Sequence, residues 1–264
     1  MDYQDIFKKA SIVVKDAAAF IKTNFGKVVS DDIITKEFNS LVSYVDQQAE
    51  NILTTGLKEI LPVSGFITEE ETITQDQNQE LVWIIDPLDG TTNFLHNVPN
   101  FAVSVALSVN GKIVIGMVYY VIPDDYYHAI TGQGAFKNNL PIRVSNKPFS
   151  QSIFATGFPY TNEYQIDQYL SLLKFVLTNS RGIRRFGSAA LDLCYVASGR
   201  VQGYYEGNLN PWDIAAGALI VQEAGGAVSD YTGGNTFSNG KEIIAANEPI
   251  RKILEDKIST LLKE

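Results

Sequence analysis

At 264 residues, with 45% apolar and 19% charged side chains, the chain has an ordinary globular composition and enough length for one large domain or two modest ones. A net charge of −9 without a Lys/Arg run argues against a general nucleic-acid surface, and no run of roughly 18 apolar residues is present to span a membrane. The single cysteine, Cys194, excludes an internal disulfide; with an opening, MDYQDIFKKA, too polar and acidic for a secretory signal, it leads to the expectation of a cytoplasmic protein.

In chain order, residues 4–25 are predicted as an amphipathic helix, because Ile6, Ala10, Val13, Val14, Ala17 and Ile21 recur at helical spacing before a stop at Gly26. Residues 27–40 are expected to be an exposed loop, and 41–60 a second helix ended near Pro62. Short strands are predicted at 65–68 and 81–85, separated by a polar loop, TITQDQNQE. FAVSVALSV (101–109) and KIVIGMVYYV (112–121) bracket Asn110-Gly111, a two-residue hairpin signal, and YYHAI (126–130) continues the run. The texture changes near LPIRVSNKPFSQS (140–152). Strands near 152–156, 182–186, 201–205, 226–229 and 242–245 then alternate with helices near 163–178, 188–198, 213–224 and from about 249. The expectation is an antiparallel-rich α+β half over 1–145 and an α/β half over 146–264.

The segment WIIDPLDGTTNF (83–94) carries the most chemistry. Asp86 and Asp89 end an apolar run and are followed at once by Gly90, Thr91 and Thr92. One reading is a turn, since Pro-x-Asp-Gly is good turn chemistry and Asp caps helices. The other is a metal site. Two carboxylates about 4 Å apart repel by roughly 4 kcal/mol at an effective dielectric of 20, and a cation removes that penalty. Glu69, Glu70 and Glu71 in FITEEE, and Asp213 in NPWDIAAG, could join it; their bland readings are a solvated loop and a helix cap. With two histidines, His96 and His128, and one cysteine, a His/Cys zinc site is poorly supplied, whereas an all-oxygen set suits Mg²⁺, Mn²⁺ or Ca²⁺. If a helix starts at Gly90, its unpaired N–H groups receive a phosphate beside the metal.

TEEE (68–71), WIIDPLDGTTNF (83–94) and PWDIAAGALIVQEAGG (211–226), in this order and spacing, resemble the inositol monophosphatase family, within the magnesium-dependent, lithium-sensitive phosphatases, over nearly the whole chain. The resemblance implies a layered αβαβα sandwich, a homodimer and two to three Mg²⁺ per active site, with Mn²⁺ as a substitute. By motif, Glu69, Asp86 and the Leu88 carbonyl resemble ligands of the first ion, and Asp86, Asp89 and Asp213 those of a second; a third, weaker ion would sit near Glu69. Thr91 and Glu70 resemble the pair that orients the attacking water, and Gly90 and Thr91 the phosphate cradle. Glu206 resembles the acceptor for polyol hydroxyls, and Ser188 and Ala189 the small residues lining the pocket; for these the bland readings are a strand end and close helix packing. Thr68 stands where many relatives have glycine. Asn39-Ser40 and Ser43 replace the usual Asp-x-Val-Thr pattern, while Asp46 still matches the following acid, and the weak-metal loop falls around Lys36 and Glu37.

The implied activity is Mg²⁺-dependent hydrolysis of a phosphate monoester by direct attack of a metal-activated water, with Asp213 helping to pass a proton to the leaving group. An inositol monophosphate is the first expectation within a class of small phosphorylated polyols, sugars and nucleotides. NADP(H), fructose 1,6-bisphosphate and 3′-phosphoadenosine 5′-phosphate are alternatives, and Arg184 or Arg185 could reach a second phosphate or simply lie at the surface. A protein-binding regulatory role is the alternative of a different class, because some bacterial relatives are linked to RNA polymerase. Neither direct nucleic-acid binding nor membrane association is expected. Cys194, inside LDLCYVASG, reads as a core residue.

Overall fold

The computed structural model describes residues 1–28, 33–37, 40–158, 166–235 and 240–261, and for 33–37 and 40–42 the backbone alone. Helix α1 (Tyr3–Asn24) precedes a hairpin of β1 (Ile33–Glu37) and β2 (Ser40–Ser43), and α2 (Tyr44–Ile60) follows directly. Then come β3 (Gly65–Thr68), β4 (Leu81–Asp89), a short α3 (Thr91–Leu95), β5 (Ala102–Val109), β6 (Lys112–Tyr120), β7 (Asp125–Ile130), β8 (Ala135–Lys137) and β9 (Leu140–Ile142). The remainder is β10 (Phe154–Thr156), α4 (Ile166–Asn179), β11 (Ile183–Arg184), α5 (Ala189–Ala197), β12 (Gly203–Leu209), α6 (Pro211–Glu223), β13 (Ala227–Ser229), β14 (Lys241–Ala246) and α7 (Glu248–Leu261).

Strands β3 to β9 form one seven-stranded sheet in chain order, antiparallel apart from the β3–β4 pair. A second sheet has the order β11-β10-β12-β14-β13. Alternation along the strands assigns the layers. Trp83 and Ile85 of β4 pack with Val14 and Ile21 of α1 and with Leu53 and Leu57 of α2, whereas Val82 and Ile84 face α5 and α6. In the second sheet Tyr204 and Ala245 join that same inner core, while Tyr205, Ile244 and Ala246 pack with Leu172 of α4 and Ile250 and Leu254 of α7. The result is the expected αβαβα sandwich.

The pattern of each helix matches its layer. In α5 every residue is buried, and in α6 Ile214 through Val221 are buried without interruption, as expected of helices enclosed on both sides. Helices α1, α2 and α7 each bury only one stripe. Gly116 of β6 lets α6 approach, since a Cβ there would lie 2.6 Å from the Ala216 carbonyl oxygen. At the Asn110-Gly111 turn both residues have positive φ (50° and 75°), the two-residue hairpin geometry anticipated there.

Several boundaries differ from expectation. Part of the 27–40 loop is the β1–β2 hairpin, and residues 41–43 are strand rather than helix, because Ser43 caps α2 and forces extended backbone just before it. The side chains of Lys36 and Glu37, and Asn39 itself, lie outside the described residues. Strand β4 continues through Asp89, β12 extends to Leu209, and β8 and β9 were not anticipated. Among the described residues no helix is long and apolar enough to cross a membrane.

Gly116→Ala is expected to lower stability by about 1–3 kcal/mol, because backbone rather than a flexible side chain meets the added methyl. Urea unfolding of the two proteins measures this; equal midpoints at equal slope refute the close-approach reading.

Candidate active site

Strand β4 delivers its acids with a local irregularity. Asp86 pairs with Ser104 and Asp89 with Ala102, so the register shifts between them across Pro87 and Leu88. Leu88 N–H donates to Asp86 Oδ1 at 2.9 Å. Asp86 is 2% exposed and Asp89 9%. Strand β3 runs parallel alongside, and the Glu69 N–H donates to the Ile85 carbonyl at 3.3 Å, which holds Glu69 beside the β4 acids.

Two further helix starts supply carboxylate anchors from the other side. Asp89 Oδ2 accepts from Ser188 Oγ (2.6 Å) and from Ala190 N–H (2.7 Å) at the first turn of α5. Asp213 Oδ2 accepts from Asn210 N–H at 2.6 Å and closes the capping box of α6, whose first residue is Pro211. Both acids thus meet helix N-termini, where the dipole favours negative charge. Asp213 is therefore not the N-cap that the bland reading made it: Asn210 holds that position, and Asp213, at the third residue of the helix, caps it in return.

The acids act on one another. Burial raises the proton affinity of Asp86 well above that of an ordinary carboxyl, and the charges of Glu69, Asp89 and Asp213 raise it further. Asp213 is raised by burial, then by Glu69 and Asp89. Asp89 is pushed up to about 6 by burial, against Ser188, the α5 amides and Arg185, which favour its charged form. Among the described residues no three His, Cys, Asp or Glu side chains are already drawn into a closed ion cage. Glu69, Asp89 and Asp213 each bear electrostatically on Asp86, and that repulsion is the term a hard cation would remove. An all-oxygen set of four carboxylates beside the Leu88 carbonyl fits Mg²⁺ or Mn²⁺ and does not fit a thiolate- or imidazole-seeking ion. His96 is exposed at the end of α3, and His128 is buried between Phe7, Tyr126 and Phe136, away from these acids.

Gly90 caps α3 with φ 100° and ψ 34°, and a Cβ there would lie 3.0 Å from the Asn100 carbonyl oxygen and 3.1 Å from that of Gly187. Helix α3 has only five residues, so its exposed N–H groups matter more than any accumulated dipole. Thr91 Oγ1 lies 2.9 Å from Asp46 Oδ1 and 3.0 Å from the Leu88 carbonyl oxygen. Asp46 is fixed in turn, since its Oδ2 accepts from both the N–H and the hydroxyl of Ser43.

A further side, adjoining Asp89, is built from β12 and α5. Glu206 Oε2 accepts from the Tyr204 hydroxyl at 2.7 Å, and the carboxylate lies flat over Gly157, where a Cβ would sit 1.7 Å from Oε1. Burial pushes Glu206 up to about 7, with Tyr204 and Arg185 opposing. Ala189 opens α5 beside Ser188. Arg185 acts electrostatically on Asp89, Asp192 and Glu206, so it faces this side, whereas exposed Arg184 bonds back to the Ile183 carbonyl. Cys194 is a buried free thiol whose burial keeps it protonated, as expected of a core residue.

Sequence reasoning passed over four contributors. Asn93 Nδ2 ties α3 to the carbonyls of Asn100 and Phe186. Tyr204 orients Glu206. Asp192 is a buried carboxyl on α5 whose Oδ1 has no hydrogen-bond partner among the described residues. Glu50 is fully buried on α2 and reaches the 68–72 segment. The signal for Glu50 was present: it interrupts the apolar stripe formed by Ala49, Leu53 and Leu57 one turn after Asp46.

Comparison with known proteins adds an independent finding. The sequence model of the inositol monophosphatase family matches residues 2–264. A protein of Neisseria meningitidis serogroup B named as a putative Nus factor SuhB is 46% identical over 217 residues, covering 82% of this chain and 83% of that protein. An inositol-1-monophosphatase of Mesorhizobium japonicum is 40% identical over 239 residues, covering 90% of each. The crystal structure of the extragenic suppressor protein suhB from Bartonella henselae superposes with a TM-score of 0.90 at 41% identity, covering 98% of each chain.

Proposed function

The chain belongs to the inositol monophosphatase family, and from that premise we propose that it is a Mg²⁺-dependent phosphate monoester hydrolase acting on an inositol monophosphate or a closely related small phosphorylated polyol. What supports this reading is the electrostatic action of Glu69, Asp89 and Asp213 on Asp86, in the strand that runs directly into the Gly90–Thr91 helix start. A metal-storage protein has no use for that turn.

Glu69, Asp86, Asp89, Asp213 and the Leu88 carbonyl would hold two to three Mg²⁺, or Mn²⁺ in substitution. When bound, such ions neutralise phosphoryl charge and make a water acidic enough to attack near neutral pH. The protein's own groups supply the rest. The first N–H groups of α3, approached closely at Gly90, bind phosphate oxygens. Thr91 donates its one hydroxyl proton toward Asp46 or Leu88, which leaves its lone pairs to accept a hydrogen bond from the attacking water. Glu70 accepts the second hydrogen of that water, so its oxygen points at phosphorus. Asp213, with one oxygen held by Asn210, passes a proton through water to the leaving oxygen. Glu206, steadied by Tyr204, accepts from a substrate hydroxyl, beside the small Ser188 and Ala189. No nucleophilic side chain is required, in keeping with the buried, protonated state of Cys194.

A second reading, a regulatory role through protein contacts, is favoured by the 46% identity to the relative named as a putative Nus factor. It is compatible with catalysis at the same fold. We also keep the homodimer, the cytoplasmic location and the alternative substrates NADP(H) and fructose 1,6-bisphosphate as parts of this proposal.

The purified chain is expected to release phosphate from an inositol monophosphate only with Mg²⁺ present, and Asp86→Asn to lose that activity. Mg²⁺ is further expected to raise the melting temperature of the wild type, by about 2.7 kcal/mol of stabilisation at a hundredfold excess over Kd, and not that of Asp86→Asn. A panel of phosphate esters that yields no Mg²⁺-dependent release sinks the reading.

Glu206 supplies a pH test. Burial pushes its carboxyl up to about 7, and only the charged form leaves both oxygens free to accept, one from Tyr204 and one from a substrate hydroxyl. KM for the polyol ester is therefore expected to climb as pH falls through about 7 in the wild type, and to be higher but flat in Glu206→Gln. Parallel profiles for the two proteins refute the assignment.

A further inference from the structure

Strand β3 ends at Thr68, and the three acids that follow it stand on irregular backbone, with Glu71 at a positive φ of 52°. Nothing in the local sequence of TEEE fixes such a segment, because adjacent glutamates repel and Glu71 is in a region that non-glycine residues avoid. The segment is nevertheless held. The carboxylate of Glu50 on α2 accepts four hydrogen bonds from it: Oε1 from the Thr68 hydroxyl (3.0 Å), the Thr72 N–H (2.7 Å) and the Thr72 hydroxyl (2.7 Å), and Oε2 from the Glu70 N–H (2.8 Å). Glu50 is fully buried, so these bonds do not compete with bulk water.

We infer that Glu50 is the positioning residue for the Glu69–Glu70 arm of the site. It touches neither substrate nor ion. It holds the Thr68 side chain before Glu69 and the backbone N–H groups of Glu70 and Thr72 after it, which sets where the Glu69 and Glu70 carboxylates stand relative to the end of β4. Asp46 lies one helical turn earlier on α2 and bonds to Thr91, so one rigid helix spaces the two arms, Thr91 on one and Glu70 on the other. Thr68 acquires a purpose here. Its hydroxyl donates to Glu50 and accepts from Gln75 Nε2 at 3.0 Å, a link that glycine at this position cannot make. The ion in this inference rests on the phosphatase reading; the clamp itself does not.

The test compares the full chain with Glu50→Gln and Thr72→Val by amide hydrogen exchange of the 68–73 segment and by Mn²⁺ binding, counted from the electron paramagnetic resonance of free Mn²⁺. Glu50→Gln is expected to speed exchange at 68–73 while α1 and β5 stay protected, and to weaken Mn²⁺ binding about 10–100-fold, the range for groups that orient metal ligands. Thr72→Val removes a single hydroxyl bond and is expected to shift both readouts less, in the same direction. A folded Glu50→Gln protein with the wild-type Mn²⁺ isotherm overturns the inference, as does unchanged exchange at 68–73. Should Glu50→Gln fail to fold, Thr72→Val decides: faster exchange with an unaltered isotherm overturns it, and a weakened isotherm supports it. Wild-type protein that takes up no Mn²⁺ overturns the phosphatase reading instead, while the exchange data still judge the clamp.

Discussion

Four carboxyl groups forced toward one another at the end of β4 are the constraint around which the molecule is organised. Burial raises the proton affinity of Asp86 and Asp213, and the charges of Glu69 and Asp89 raise it further. Such an arrangement opposes folding by itself. It persists because each acid is tied to an element that the core holds rigidly. Asp86 is built into a strand buried along its whole length, Asp89 is gripped by the first turn of α5, and Asp213 caps α6.

The layered architecture makes those ties possible. Helices α5 and α6 are enclosed between two sheets, which fixes where their N-terminal turns stand: α5 is buried along its whole length and α6 from Ile214 to Val221. Gly116 brings α6 near enough to the first sheet for Asp213 to stand beside acids borne on β4. On the opposite face α2 carries two buried carboxylates, Asp46 and Glu50, which fasten Thr91 and the 68–72 segment. The site therefore lies where three layers meet, and its spacing is set by helix and sheet packing more than by any loop.

Elements governed by near neighbours were legible. The Asn110-Gly111 hairpin and the α1 stripe follow from turn chemistry and periodicity, which act over a few residues. The β1–β2 hairpin is not legible in the sequence, because SDD and TKEFNS are rich in polar residues and its pairing is a property of two segments together. The sequence signal for strand β4 stops at Ile85, because Asp86 and Pro87 are poor strand residues in isolation. Its continuation depends on β5 pairing across the irregularity at Pro87 and Leu88.

The sequence by itself determined the donor chemistry: an all-oxygen set of acids, a glycine-threonine turn beside two of them, and too few histidines and cysteines for a softer ion. Only the tertiary structure decided which of these groups meet. Asp89 and Ala190 are 101 positions apart, and Glu50 lies 20 before Glu70, yet each pair is in hydrogen-bond contact. The physical reason is that side-chain type and local backbone preference are encoded within a few residues, whereas contacts across the sandwich depend on the simultaneous packing of every layer between them.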